Sequence, residues 1–190
     1  TLVWALVHPS DAPLGPGLFL YDEARSEVLS HLPLPAGVES PHGLTWDGRS
    51  LWLSDVGDPE SPTIYELSPD DGSVRSRIAH RFTEGLAADG DSLWVASAEP
   101  VTQLLRIAHD GDVLASIAVS EIVIQDLVLA GRALYYLVND GEDRVVRVDG
   151  ARASTLIVSG VHEAPYSLGF DGTHLAVAVD RVGREDHRRH

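Results

Sequence analysis

An all-β fold assembled from a repeated four-stranded unit is predicted by three observations. An eleven-residue pattern recurs four times, as HGLTWDGRSLW (42–52), EGLAADGDSLW (84–94), QDLVLAGRALY (125–135) and YSLGFDGTHLA (166–176). Its equivalent leucines, Leu44, Leu86, Leu127 and Leu168, are separated by 42, 41 and 41 residues. Each copy reads as a short apolar strand, a two-residue turn rich in Asp-Gly, and a second apolar strand opening with a large residue, which is a hairpin. A period of about 40 to 45 residues with several short strands per repeat predicts propeller blades rather than a helical solenoid. No run of ten or more residues sustains helical periodicity.

In chain order, TLVWALVH (1–8) matches a second strand, with Trp4 standing where Trp52, Trp94 and Tyr135 stand later. After a Pro/Gly-rich loop, GLFLYDE (17–23) and EVLSHLPLP (27–35) supply third and fourth strands, so the first repeat lacks its first strand. The second repeat is complete: GLTW, SLWLSD, TIYELS and VRSRIA, joined by the turn-forming segments WDGRS, VGDPESP and PDDGS. The third (GLAA, SLWVAS, LLRIA, VLASIAV) and fourth (DLVL, ALYYLV, RVVRV, STLIV) are complete too, with Arg106 and Arg147 at equivalent places. A fifth offers SLGF and THLAVAVD before the charged tail GREDHRRH, which carries no apolar pattern and is expected to fray.

The expected organisation is therefore one propeller domain over 1–190, with repeats at 1–41, 42–83, 84–124, 125–165 and a partial 166–190. The strand tally predicts most of a five-bladed ring, or part of a six-bladed one. Alternatively, Tyr166 to Phe170 supplies the missing first strand of the opening blade and closes four blades, since propellers commonly complete one blade from both termini. Association with a second chain would also complete the ring. Thr1 and the absence of methionine predict that a leader has been removed or that the chain is a section of something longer.

Composition narrows the chemistry. The chain has 190 residues, 44% hydrophobic and 23% charged, ordinary for a globular protein. Its net charge of -15 repels phosphate backbones and anionic lipid, so neither nucleic acid nor a membrane is an expected partner. No apolar run approaches the roughly 20 residues of a spanning helix. All 14 basic residues are Arg, which removes Schiff-base and Walker-type lysine chemistry. With no cysteine, thiol catalysis, thiolate metal sites and disulfides are removed as well.

SPHGLTWDGRSLWLSD followed by TIYELSPDDGSV resembles the blades of the calcium-dependent senescence marker/gluconolactonase, strictosidine synthase and NHL-repeat propellers. FTEGLAADGDSLWVAS is similar to blades of plant-type glutaminyl cyclotransferases and esterase-like phytases, and PHGL resembles streptogramin B lyase. The resemblance covers nearly the whole chain, but it is one of blades, which many functions share. In the gluconolactonase group the residue before Gly-Leu on one blade is an Asn metal ligand. His42 takes that place here, which would favour a transition metal over calcium.

The residues themselves point to the same location. In a propeller the first strand of each blade is innermost, and the residue entering it sits at one mouth of the central channel. Those residues are His42, Glu84, Gln125 and Tyr166, with Asp55, Ser97, Asn139 and Asp180 at the ends of the second strands on the same face. His162-Glu163 precedes the fifth repeat and is a secondary candidate. A His and a carboxylate facing one another would bind a divalent cation or act as an acid–base pair. Solvated groups at a wet channel are the plainer reading. Asp47-Gly48, Asp89-Gly90 and Asp171-Gly172 read as hairpin turns, Trp4, Trp52 and Trp94 as blade packing, and Asp55 to Glu60 as a solvated loop without EF-hand spacing.

Two functional classes follow, besides that of a section without autonomous function. One is a scaffold that binds a small molecule or a partner protein at the channel mouth, through Gln125, Tyr166, Asp55, Asn139 and Asp180 with His42 and Glu84. The other is a metal-dependent hydrolase or lyase of lactone-like or ester substrates. There His42 and Glu84 would hold a divalent metal, calcium or a transition metal, and transfer protons.

Overall fold

The computed structural model describes residues 2–7, 15–58, 63–79, 83–97, 102–120, 124–138, 144–149, 152–156 and 165–179. They form 17 strands: β1 (Leu2–Val7), β2 (Gly17–Asp22), β3 (Glu27–Leu32), β4 (Pro41–Trp46), β5 (Leu51–Asp55), β6 (Thr63–Leu67), β7 (Val74–Ala79), β8 (Thr83–Asp89), β9 (Ser92–Ser97), β10 (Gln103–Ala108), β11 (Val113–Ala118), β12 (Ile124–Ala130), β13 (Ala133–Val138), β14 (Arg144–Asp149), β15 (Arg152–Leu156), β16 (Pro165–Phe170) and β17 (Leu175–Val179). They pair antiparallel in sequence order into five sheets: β1 to β3, β4 to β7, β8 to β11, β12 to β15, and β16 with β17. The sheets follow the repeat, as expected. One alternative is corrected: Pro165–Phe170 pairs with Leu175–Val179, and the opening sheet keeps three strands. Β16 therefore does not close a four-bladed ring. Its hairpin partner, four residues away along the chain, wins because a local pairing closes a short loop.

Successive sheets meet through their first strands, β4 on β8, β8 on β12 and β12 on β16. The second strands of the three four-stranded sheets, β5, β9 and β13, lie buried on both faces, which is why they read as continuous apolar runs rather than alternating ones. Leu51 and Leu53 pack toward the first sheet with Leu18, Leu32, Tyr65 and Leu67. Trp52, between them, points the other way into a cluster with Ile78, Leu86, Leu93 and Ile107. The same division recurs in β13, where Tyr136 and Val138 face the third sheet and Leu137 the fifth. Each fully buried Leu contributes about 1.5–3 kcal/mol, so the core runs along the arc as a series of inter-sheet layers.

The repeated turn explains the repeated Asp and Trp. Gly48 has φ 96° and Gly90 φ 61°, left-handed values that favour glycine. Asp47 Oδ1 accepts the backbone N–H of Arg49 (2.7 Å) and Ser50 (2.6 Å), and its Oδ2 accepts the Trp52 indole N–H at 2.7 Å. Asp89 accepts the Trp94 indole N–H at 3.2 Å in the next repeat. In the fourth repeat both partners are absent together, Ala130 standing for the Asp and Tyr135 for the Trp. The turn aspartates are thus structural, as their Asp-Gly context predicts.

Candidate functional site

The four first strands share an irregularity that the sequence did not announce. In each, the pairing with the second strand slips by one residue: after Pro41↔Asp55 the next partners are Leu44↔Leu53, and after Thr83↔Ser97 they are Leu86↔Val95. Β12 slips between Ile124 and Asp126, and β16 between Pro165 and Ser167. The residues in these β-bulges are His42-Gly43, Glu84-Gly85, Gln125 and Tyr166, and they include the four that the repeat alignment singles out. A bulge redirects a side chain out of the regular alternation and is common beside functional sites.

The residue after each of those four sits where inner strands of neighbouring sheets touch. A Cβ on Gly43 would meet the Glu84 carbonyl oxygen at 2.7 Å, and one on Gly85 would meet Asp126 Cα at 2.7 Å. Ser54 ties the first of these contacts: its hydroxyl accepts the Gly43 N–H at 2.7 Å and donates to the Glu84 carbonyl at 3.1 Å. At the third junction Asp126 occupies the glycine's place. Its carboxylate accepts the Leu168 N–H (2.7 Å) and the Ser167 hydroxyl (2.8 Å) from β16, and the Leu127 N–H at 2.8 Å. Burial nevertheless dominates, pushing the Asp126 carboxyl up to about 6 against the pull of those hydrogen bonds.

This scaffold holds Glu84 half-buried and His42 exposed on adjacent first strands. Burial raises the Glu84 carboxyl above the ordinary glutamate value, and the nearby His42 charge acts in the opposite direction. The two candidates are therefore electrostatic neighbours. His42 Nε2 also lies 3.3 Å from the Ser40 hydroxyl. Gln125 is half-buried and Tyr166 is exposed on the next two strands.

Asp55 has a different duty. It is buried, and its oxygens accept backbone N–H groups of Ser40 (2.7 Å), Glu39 (3.3 Å) and Gly57 (3.2 Å), clamping the approach to β4. Ser97 is buried at the end of β9. Asn139, Asp180, His162 and Glu163 lie outside the described residues. Among the described residues no three His, Cys, Asp or Glu side chains gather as a metal-binding group.

Compared with solved structures, the chain matches Myxococcus xanthus glutaminyl cyclase at TM-score 0.61 and 16% identity, over 77% of this chain and 64% of that one. The virginiamycin B lyase of Staphylococcus aureus, crystallised as a catalytically inactive variant with quinupristin, matches at TM-score 0.56 and 15% identity over 86% and 56%. Kuenenia stuttgartiensis hydrazine synthase matches at TM-score 0.54 and 16% identity over 85% and 49%. The fold is a β-propeller. At these identities the likeness establishes the fold alone, and the chain spans about half to two-thirds of the propeller-containing chains it matches. No protein-family model and no curated protein matches the sequence. The glutaminyl cyclase and lyase likenesses agree with two of the blade resemblances read from the sequence. The gluconolactonase-like resemblance has no sequence match beside it.

Two propeller features escaped sequence reasoning. The bulges have no residue signature, because slippage depends on how two strands meet. Asp126 carried a signal that was available: it breaks the Gly-Leu pair of the preceding two copies, and an acidic residue where those copies have glycine marks a contact across blades.

Proposed function

We propose that this propeller binds a small polar molecule, neutral or cationic, at the channel mouth formed by the bulged residues His42, Glu84, Gln125 and Tyr166. The observation that carries the reading is the pairing of a half-buried Glu84, its carboxyl raised by burial, with His42 from the neighbouring blade. A carboxyl held this way accepts a donor strongly when ionised and donates when protonated, so it suits amines, amides and hydroxyls. The net charge of -15 favours approach of a neutral or cationic molecule over an anion.

A second reading rests on the same pair. A His and a carboxylate from adjacent blades would supply two ligands to a divalent cation, and with a third group such a metal would polarise a carbonyl for hydrolase or lyase chemistry on lactones or esters. The test addresses both. Backbone amide NMR against a panel of small amines, amides and polyols is expected to give saturable shifts at 42–44, 84–86 and 125–127. These are lost in Glu84→Gln and weakened at least about fivefold, or 1 kcal/mol, in His42→Ala. Binding that survives both substitutions, or that maps elsewhere, contradicts the proposal. One equivalent of metal by elemental analysis, with a melting temperature that falls in chelator and a loss of both in His42→Ala, selects the second reading.

A further inference from the structure

The junction between blades two and three contains a ring that its counterpart one blade later lacks. His109, in the turn between β10 and β11, lies against Trp52 with ring centroids 4.4 Å apart. It lies close enough to Asp47 and Glu66 to help lower both carboxyls, and among the described residues its buried Nε2 has no hydrogen-bond partner. Trp52 is thereby covered completely, at 0% exposure. The equivalent tryptophan of blade three is Trp94, and blade four connects β14 to β15 through Gly150-Ala151 where blade three has His109-Asp110-Gly111-Asp112. That two-residue sequence contains no aromatic ring. Beside Trp94 the described residues leave an open cavity of about 320 Å³, bordered by Trp94, Asp89, Ile117, Leu129, Val148 and Arg132.

The charge around this cavity differs from that around His109: the turn aspartate is kept, as Asp89 on the cavity border, but it is paired. The position of Glu66 is taken by Arg106, whose Nε lies 3.1 Å from Asp89 Oδ2 and so neutralises the turn aspartate equivalent to Asp47. Arg132, exposed on the turn at the rim, adds a guanidinium that forms no ion pair among the described residues. An aromatic face, aliphatic walls and an uncommitted guanidinium suit a flat apolar ring bearing a carboxylate. We propose that the cavity between blades three and four binds a small aromatic carboxylate, its ring on Trp94 where an imidazole lies on Trp52, and its carboxylate on Arg132. This site is separate from the channel mouth and does not depend on His42 or Glu84.

The probe is 2-naphthoate, titrated into the full chain carrying ¹⁵N-labelled tryptophan, with 2-naphthylmethylamine as its cationic counterpart. The Trp94 indole N–H resonance is expected to shift saturably while those of Trp4 and Trp46 stay in place. The carboxylate is expected to bind at least about tenfold more tightly than the amine. Arg132→Glu, on an exposed turn, should remove that preference without changing the other indole resonances. Ile117→Trp, which fills the cavity from the outer strand, should abolish the shift. No saturable shift of Trp94, equal or tighter binding of the amine, or an unchanged preference in Arg132→Glu overturns the proposal.

Discussion

Asp126 shows how one residue can couple two blades and at the same time make their junction sensitive to pH. Where the two preceding junctions use glycine to bring backbones together, this one inserts a carboxylate that bonds to Ser167 and Leu168 of the next blade. Burial raises its folded-state value to about 6, above the ordinary 3.8. A carboxyl raised on folding contributes most when protonated, below about pH 4, and that contribution is lost as pH rises through about 6. The span corresponds to about 3 kcal/mol at 1.36 kcal/mol per unit. Denaturant unfolding between pH 4 and 7 should therefore show wild type losing up to about 3 kcal/mol relative to Asp126→Asn, which keeps an acceptor but does not ionise. Parallel profiles for the two proteins would contradict this account. Glu84 is raised in the same direction but is less enclosed.

At the scale of the strand and its turn, stability rests on the Asp–Trp pairs. For Asp47, burial alone would raise the carboxyl, but hydrogen bonds from the Trp52 indole and the Ser50 and Arg49 amides outweigh it and hold the value below the ordinary one. Asp47→Ala leaves the indole N–H of a fully buried tryptophan without its acceptor, and should cost about 2–3 kcal/mol in denaturant unfolding. The equivalent Asp89→Ala should cost less, since Trp94 is half-buried and its hydrogen bond is longer. Equal losses would show that the aspartates act only through the turn. This layer was legible in the sequence: the Asp-Gly turns, the strand order and the packing role of the tryptophans all follow from local patterns that repeat. The bulges were not, because a one-residue slip changes no residue type and is decided by the closeness of the next blade.

For the whole molecule, the fold could be read from repeat period and turn chemistry, whereas the site could be read only in part. His42, Glu84, Gln125 and Tyr166 were found because repetition assigns them one position, and all four fall on bulges of the innermost strands. Asp55 stands at an equally suggestive repeat position, yet its carboxylate serves the backbone of the Glu39–Ser40 segment. That distinction depends on a contact 15 residues apart in the chain, which no repeat alignment contains. In the proposed function the arc of blades matters because it sets neighbouring first strands side by side, so that single residues from successive repeats would form one surface. Whether His42 and Glu84 share that surface is measured most directly by following the Glu84 side-chain carboxyl by ¹³C NMR through a pH titration, in wild type and in His42→Ala. The account predicts a Glu84 value above that of ordinary glutamates, rising further when the His42 charge is removed. A Glu84 that titrates like an exposed glutamate, unchanged by His42→Ala, would contradict it.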